Sequence, residues 1–270
     1  MKVWHVIAAP IFLLASGSAC ANPFNFDQGN GRIVFNGYYT ASPKQFNDKG
    51  NVVNGADYSQ YNAYAVTEYG LTDRLNILVT PSFRSVEVEG SGNNSTGLGY
   101  TDLGARYEVA KGDHWVFDVQ GLVRIPGTGR DVGVAQIGNK DTQYDMRALA
   151  GYTFGKSFVA LEGSYRLRSG RPPNEVHADV TLGTRPTDKL LLLASVYNTF
   201  SDGKGSARPI DNGDGTSFSY DYKYRYHDAF LSAVYSLNSR VAVQVGGTGT
   251  IGGRNALRQR GGLIGLWYTF

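Results

Sequence analysis

Cysteine is nearly missing from the chain: Cys20 stands alone among 270 residues. It falls inside a segment that reads as a cleaved leader. From Asn22 onward there is then no thiol, which excludes disulfides and thiolate metal sites. Long apolar runs are missing too. After residue 21 no stretch approaches the ~18 apolar residues of a membrane-crossing helix. Charge is sparse: Asp, Glu, Lys and Arg make up 18%, against ~25% in an average soluble domain. The net charge of +3 is too small to draw nucleic acid by bulk electrostatics, and no basic run forms a binding arm. Nucleic acid is therefore not an expected partner. Histidine is scarce as well, with only His114, His177 and His227 beyond the leader.

What is present is glycine (35) and tyrosine (18), a mixture suited to strands, turns and aromatic belts. The leader spans residues 1–21. Lys2 supplies the positive start, Val3 to Leu14 the apolar stretch, and Ala19-Cys20-Ala21 the small-residue cleavage site before Asn22. The rival is a lipid anchor on Cys20. A lipobox usually places Leu three positions before the cysteine, where this chain has Gly17. The chain thus divides into a signal peptide, 1–21, and one domain, 22–270.

From residue 31 the apolar pattern has a period of two. In 115–125, Trp115, Phe117, Val119, Val123 and Ile125 share one face, while Asp118, Gln120 and Arg124 share the other. A strand sorts residues this way; a helix would smear the charges round its circumference. Such stretches occupy 31–40, 58–69, 75–88, 98–109, 114–125, 142–154, 157–168, 175–185, 190–200, 218–237, 241–252 and 260–270. Their connections alternate between short (70–74, 110–113, 155–156, 186–189, 238–240) and long or irregular (41–57, 89–97, 126–141, 169–174, 201–217, 253–259). About twelve strands with alternating connections predict an all-β fold, an antiparallel transmembrane β-barrel with its short turns in the periplasm. Only helices and closed barrels satisfy every backbone group in lipid. Outer-membrane lipids are then the surroundings, and the bacterial outer membrane the location.

In the last stretch Ile264, Leu266, Tyr268 and Phe270 alternate. A terminal aromatic on the lipid register resembles the signal read by the outer-membrane assembly machinery, with Tyr268 and Phe270 in the girdle. The tenth stretch puts Tyr220, Tyr222, Tyr224 and Tyr226 on one face and Asp221, Lys223, Arg225 and His227 on the other. A shift to Ala229, Leu231, Ala233, Tyr235 and Leu237 predicts a bulge near 227–228. In 190–200 both faces are mostly apolar and cannot be assigned.

This register points Glu68, Arg84, Arg106, Glu108, Asp118, Arg124, Asp145, Arg147, Glu162, Arg166, Arg168, His177, Asp179, Arg185, Lys223 and Arg225 into the lumen. Arg or Lys on the lipid side would cost ~2–4 kcal/mol at mid-membrane. Pairing Arg168 with Glu175 across the 169–174 loop sets Arg166 opposite His177, with Asp179 a step beyond. Two readings of the arginines stand side by side. One is a cation-lined path for anionic solutes; the other is an Arg–acid network that fills a narrow barrel.

Other motifs carry less. An outer-membrane lipid hydrolase would set His and Ser in close register. His177 is followed by Ala178-Asp179 and His227 by Asp228-Ala229, so no enzyme is expected. Asp211-Asn212-Gly213-Asp214-Gly215-Thr216 departs from a calcium loop at its third and twelfth positions, Gly213 and Tyr222. Pro126-Gly127-Thr128-Gly129-Arg130 lacks the Lys-Ser/Thr of a phosphate loop. No metal or cofactor is expected.

Glu68-Tyr69-Gly70-Leu71-Thr72-Asp73-Arg74-Leu75 resembles a recurring strand–turn–strand of an outer-membrane family described as transporters or "MetA-pathway of phenol degradation" proteins. Gly97-Leu98-Gly99-Tyr100-Thr101-Asp102-Leu103-Gly104-Ala105-Arg106-Tyr107 resembles that family's next strand, with Tyr100-Thr101 inserted before Asp102. The resemblance implies a channel or uptake barrel for small-molecule solutes, aromatic or hydrophobic, working by passive diffusion. The alternative is a closed structural or adhesive barrel that binds partners through its outer loops.

Overall fold

The computed structural model describes residues 24–88, 94–128, 135, 137–138, 141–169, 172–203, 209–211, 217–219 and 223–270. The leader, and with it the cleavage site and Cys20, lies outside the described residues. Twelve strands form the wall: β1 (Gly31–Phe46), β2 (Val52–Thr72), β3 (Leu75–Thr80 with Ser82–Val88), β4 (Ser95–Leu98 with Thr101–Lys111), β5 (Trp115–Ile125), β6 (Gln143–Phe154), β7 (Ser157–Arg168), β8 (Glu175–Thr187), β9 (Leu190–Ser201), β10 (Arg225–Ser236), β11 (Val241–Arg254) and β12 (Arg260–Thr269). Each pairs antiparallel with its neighbours. The last pairs with the first from Arg32↔Thr269 to Ala41↔Arg260, closing the barrel and removing both sheet edges. No helix occurs among the described residues.

The breaks in β3 and β4 have local causes. Pro81 has no N–H to give to the ladder, so β3 is interrupted there without changing its inward face. In β4 the extra residue falls at Gly99–Tyr100. The inward face passes from Ser95 to Tyr100 and Asp102, and Tyr100 turns into the lumen, 2% exposed. The break lies just ahead of Asp102.

The short connections are built from turn chemistry. The Thr72 hydroxyl accepts from the N–H groups of Arg74 and Leu75, and the Thr187 hydroxyl from that of Leu190. The Asn238 side chain does the same for Arg240 and Val241. Gly155, with φ +58°, makes the two-residue turn from β6 to β7.

At the other end the predicted loop 41–57 is instead a hairpin. β1 and β2 remain paired to Phe46↔Val52, with one bulge between Ser42 and Lys44. Pairing satisfies backbone groups that a free loop would leave to water. At ~3.3 Å per residue the 21 residues of β2 rise well above a bilayer.

The outer surface is apolar. Leu161, Leu182, Leu231, Val245 and Ile264 form an exposed aliphatic band. Tyr39, Tyr61, Tyr144 and Tyr165 flank it toward the long-loop end, and Tyr107, Trp115, Tyr152, Tyr235, Tyr268 and Phe270 toward the short-turn end. Tyr268 and Phe270 stack on each other at 6.0 Å, and Phe270 on Tyr69 at 6.4 Å. An apolar belt between two aromatic girdles on a closed barrel is the surface that a bilayer matches.

Candidate functional site

The lumen holds the chemistry, and inward alternation places it there. Glu68, Arg84, Arg106, Glu108, Asp118, Arg124, Asp145, Arg147, Glu162, Arg166, Arg168, His177 and Asp179 are all buried. Arg185 shares the inward register but is exposed at the short-turn mouth. Lys223 and Arg225 are exposed; Tyr224 turns inward instead and is buried. That corrects the reading of the tenth stretch. The irregularity at His227/Asp228 is real, but the extra residue is Ile251 of β11: His227 faces Gly252 and Asp228 faces Thr250. β10 therefore keeps one register, and Asp228 is inward, 2% exposed. In β9, whose faces the sequence left open, Ser195, Tyr197 and Thr199 point in.

The hairpin register is two residues shorter than expected. Glu175 lies opposite Arg166 and His177 opposite Ser164, because Asn174 accepts the Arg168 N–H and ends the pairing there. An ion cluster forms here with a different membership, without Asp179. Asp145 binds Arg147 (3.0 Å) and Arg166 (2.8 Å), Glu162 binds Arg147 (2.7 Å), and Glu175 binds Arg166 (3.0 Å) and Arg168 (3.1 Å). Tyr224 donates to Glu175 at 2.6 Å. A second group joins Glu68 to Arg32 (2.9 Å) and Arg106 (3.4 Å), with Asp118 3.7 Å from Arg106. Arg124 binds Asp102 at 2.8 Å under the Tyr100 ring. Glu108 reaches out to Lys111, and Asp179 accepts the Asn198 N–H. Arginines do not dominate: Arg32, Asp102, Glu175 and Asp228, absent from the predicted set, bring in three acids for one base. Each was legible as an inward position except Asp228, which the supposed bulge hid.

No catalytic arrangement forms from the histidines among the described residues. His177 meets Glu175 (3.3 Å) and Thr199 (3.1 Å), and His227 lies on the outward register against Asn198.

Two segments enter the lumen. From the short-turn end comes 24–30. The Gly29 N–H donates to the Gly70 carbonyl, and the Gly70 N–H donates to the Asn30 carbonyl. Asn76, its amide atoms assigned by the bonds they make, pairs with the Phe26 backbone at 3.0 and 3.1 Å. The Asn25 side chain accepts from Arg106 at 2.8 Å, and Phe24 meets Phe158 of the far wall edge-on at 6.2 Å. The segment thus crosses the barrel from β2 to β7. From the long-loop end, Ala135 packs on Tyr58, Val86 and Val88, and the Ile137 carbonyl accepts from Arg84. Between the crossing segment and the β7–β12 wall remains a cavity of about 320 Å³. Phe24, Phe158, Tyr197, Phe230, Leu263 and Trp267 line it, with Lys156 and Arg185 at its mouth. The Phe158 ring fills the space a side chain at Gly183 would need.

No family model and no curated sequence matches the chain. Among solved structures it is similar to the COG4313 outer membrane channel from Pseudomonas putida F1, at 14% identity and TM-score 0.75, covering 92% of this chain and 98% of that one. It is also similar to the KdgM porin in complex with disordered oligogalacturonate (9% identity, TM-score 0.55, coverage 88% and 99%). The NanC porin aligns likewise (11%, 0.55, coverage 88% and 100%). The fold shared with these proteins is the closed twelve-stranded antiparallel barrel of the outer-membrane type.

Proposed function

We propose that the protein is an outer-membrane channel that passes small solutes with apolar bodies by diffusion. The observation that carries this is the aromatic cavity beside the crossing segment. A barrel needed only as a rigid cylinder would gain most from filling that space, since voids cost stability. Instead Phe24, Phe158, Phe230 and Trp267 leave about 320 Å³ open, close to the ~300 Å³ lower bound of small-molecule sites. The channel and porin folds named above, and the resemblance to the phenol-degradation transporters, support the same reading. In it, residues 1–21 are the export leader and 22–270 the mature barrel. The short turns face the periplasm, and Tyr268 and Phe270 present the assembly signal. Uptake of benzamide and of glucose into protein-loaded liposomes tests it. Benzamide entry faster than into empty liposomes, with glucose entry raised less, is expected; benzamide entry no faster than into empty liposomes would refute it.

The crossing segment and the inward Ile137 support a second reading, a closed barrel that acts through its outer loops. Conductance discriminates the two: a folded barrel without any current in a planar bilayer favours the closed form.

A further inference from the structure

The cavity beside the crossing segment has a sorted lining. Its interior polar side chains are paired with one another. Thr181 and Ser195, opposite each other on β8 and β9, share a hydroxyl–hydroxyl bond of 2.8 Å. Ser157 donates to the Thr184 hydroxyl at 2.9 Å. Gln244 donates to the Ser232 hydroxyl and accepts from the Trp267 indole N–H, both at 2.9 Å. Arg32 binds Glu68 at 2.9 Å and lies 4.8 Å from the centre of the Trp267 ring. A solute that carried a polar group into this interior would find few free partners, and burying such a group unpaired is costly. The interior therefore fits an apolar body, in contact with Phe24, Phe158, Phe230 and Leu263.

The mouth is different. Lys156, in the turn from β6 to β7, and Arg185, near the end of β8, are both exposed. They stand side by side, since the Arg185 N–H donates to the Lys156 carbonyl at 2.9 Å. Among the described residues neither makes a salt bridge, and no carboxylate lines the cavity. The next inward residue beyond Thr181 on β8 is an acid, Asp179. An anionic head is therefore favoured at the mouth and disfavoured at the deep end. At ~3.3 Å per residue the run from Arg185 to Thr181 spans about 13 Å, longer than a single ring.

We infer that the cavity is a binding site for an elongated amphiphilic anion, an aryl-alkanoate. Its carboxylate sits between Lys156 and Arg185 and its ring among Phe24, Phe158 and Phe230. This deepens the solute-channel reading, on whose cavity it rests, by naming the class and the orientation of the solute. Binding to the purified protein can be read whether or not the barrel conducts.

The test is calorimetric titration of the refolded full chain in detergent micelles, with protein-free micelles as the blank. The probes are 4-phenylbutyrate, its amide and 4-phenylbutylamine. The acid is expected to bind about three- to tenfold more tightly than the amide, the scale of two ion pairs in contact with water. Lys156→Gln combined with Arg185→Gln should remove that preference and leave amide binding unchanged; both side chains are exposed, so the barrel should fold as before. Leu263→Trp, which fills the interior, should weaken acid and amide alike. No binding of the acid, equal binding of acid and amide, or tighter binding of the amine would each overturn the site. So would an acid preference that survives the paired Lys156 and Arg185 variant, or acid binding undiminished in a folded Leu263→Trp barrel. A barrel that shows the acid preference but admits no benzamide to liposomes would keep the site and refute the channel; benzamide entry without the acid preference would refute the site alone.

Discussion

At the residue scale, the lumen distinguishes charges that are matched from charges that are not. Glu175 takes hydrogen bonds from Arg166, Arg168 and Tyr224 and is 1% exposed. Removing its charge takes a carboxylate from two buried guanidinium groups, Arg166, which keeps Asp145, and Arg168. Breaking one partner of a buried pair typically costs ~3–5 kcal/mol. Glu175→Gln is therefore expected to lower unfolding stability by about that much, measured as the urea midpoint of the heat-modifiable band. Lys111→Ala is the control. Its ammonium is mostly in water, 57% exposed, although Glu108 is 3.2 Å away, and exposed pairs contribute ~0–1 kcal/mol. Equal losses in the two variants would mean that the buried network is hydrated.

At the element scale, the crossing segment 24–30 governs how open the lumen is. It is held by backbone bonds near Gly70, by Asn76, and by the Asn25–Arg106 contact, and its apolar end rests on Phe158. Removing residues 24–29 should leave the closed ladder of β1 with β2 and β12 intact, since pairing starts at Gly31. A rise in single-channel conductance with unchanged gel mobility is expected. Unchanged conductance would place the narrowest point at Ile137 instead. None of this was legible in the sequence, because a polar–aromatic segment of seven residues has no periodicity to read. The strands were legible, because each alternates against a lipid face. Errors arose where one strand was read without its partner: the extra residue at 227–228 belongs to β11. The 168–175 register depends on an Asn174 side-chain bond. β9 was ambiguous because its inward face is itself apolar at Leu191, Leu193 and Tyr197, the wall of the cavity.

At the scale of the whole molecule, local and summed charge play separate parts. Among the described residues, the buried bases of the lumen are Arg32, Arg84, Arg106, Arg124, Arg147, Arg166 and Arg168. The buried acids among them are Glu68, Asp102, Glu108, Asp118, Asp145, Glu162, Glu175, Asp179 and Asp228. The acids at least match the bases. A conducting path through such a lumen senses the sum. The expected reversal potential in a KCl gradient is therefore small, with no strong anion preference, despite the many arginines. Glu68→Gln is the variant that should move it. It removes the carboxylate shared by Arg32 and Arg106 beside the crossing segment, leaving positive charge on the path. A shift toward chloride selectivity is expected, and it should be larger in dilute KCl, where the ~10 Å screening length at 0.1 M lengthens. A wild-type barrel already strongly anion-selective would show that the ion pairs open in the conducting state. The arginine lining would then set selectivity, not the paired network.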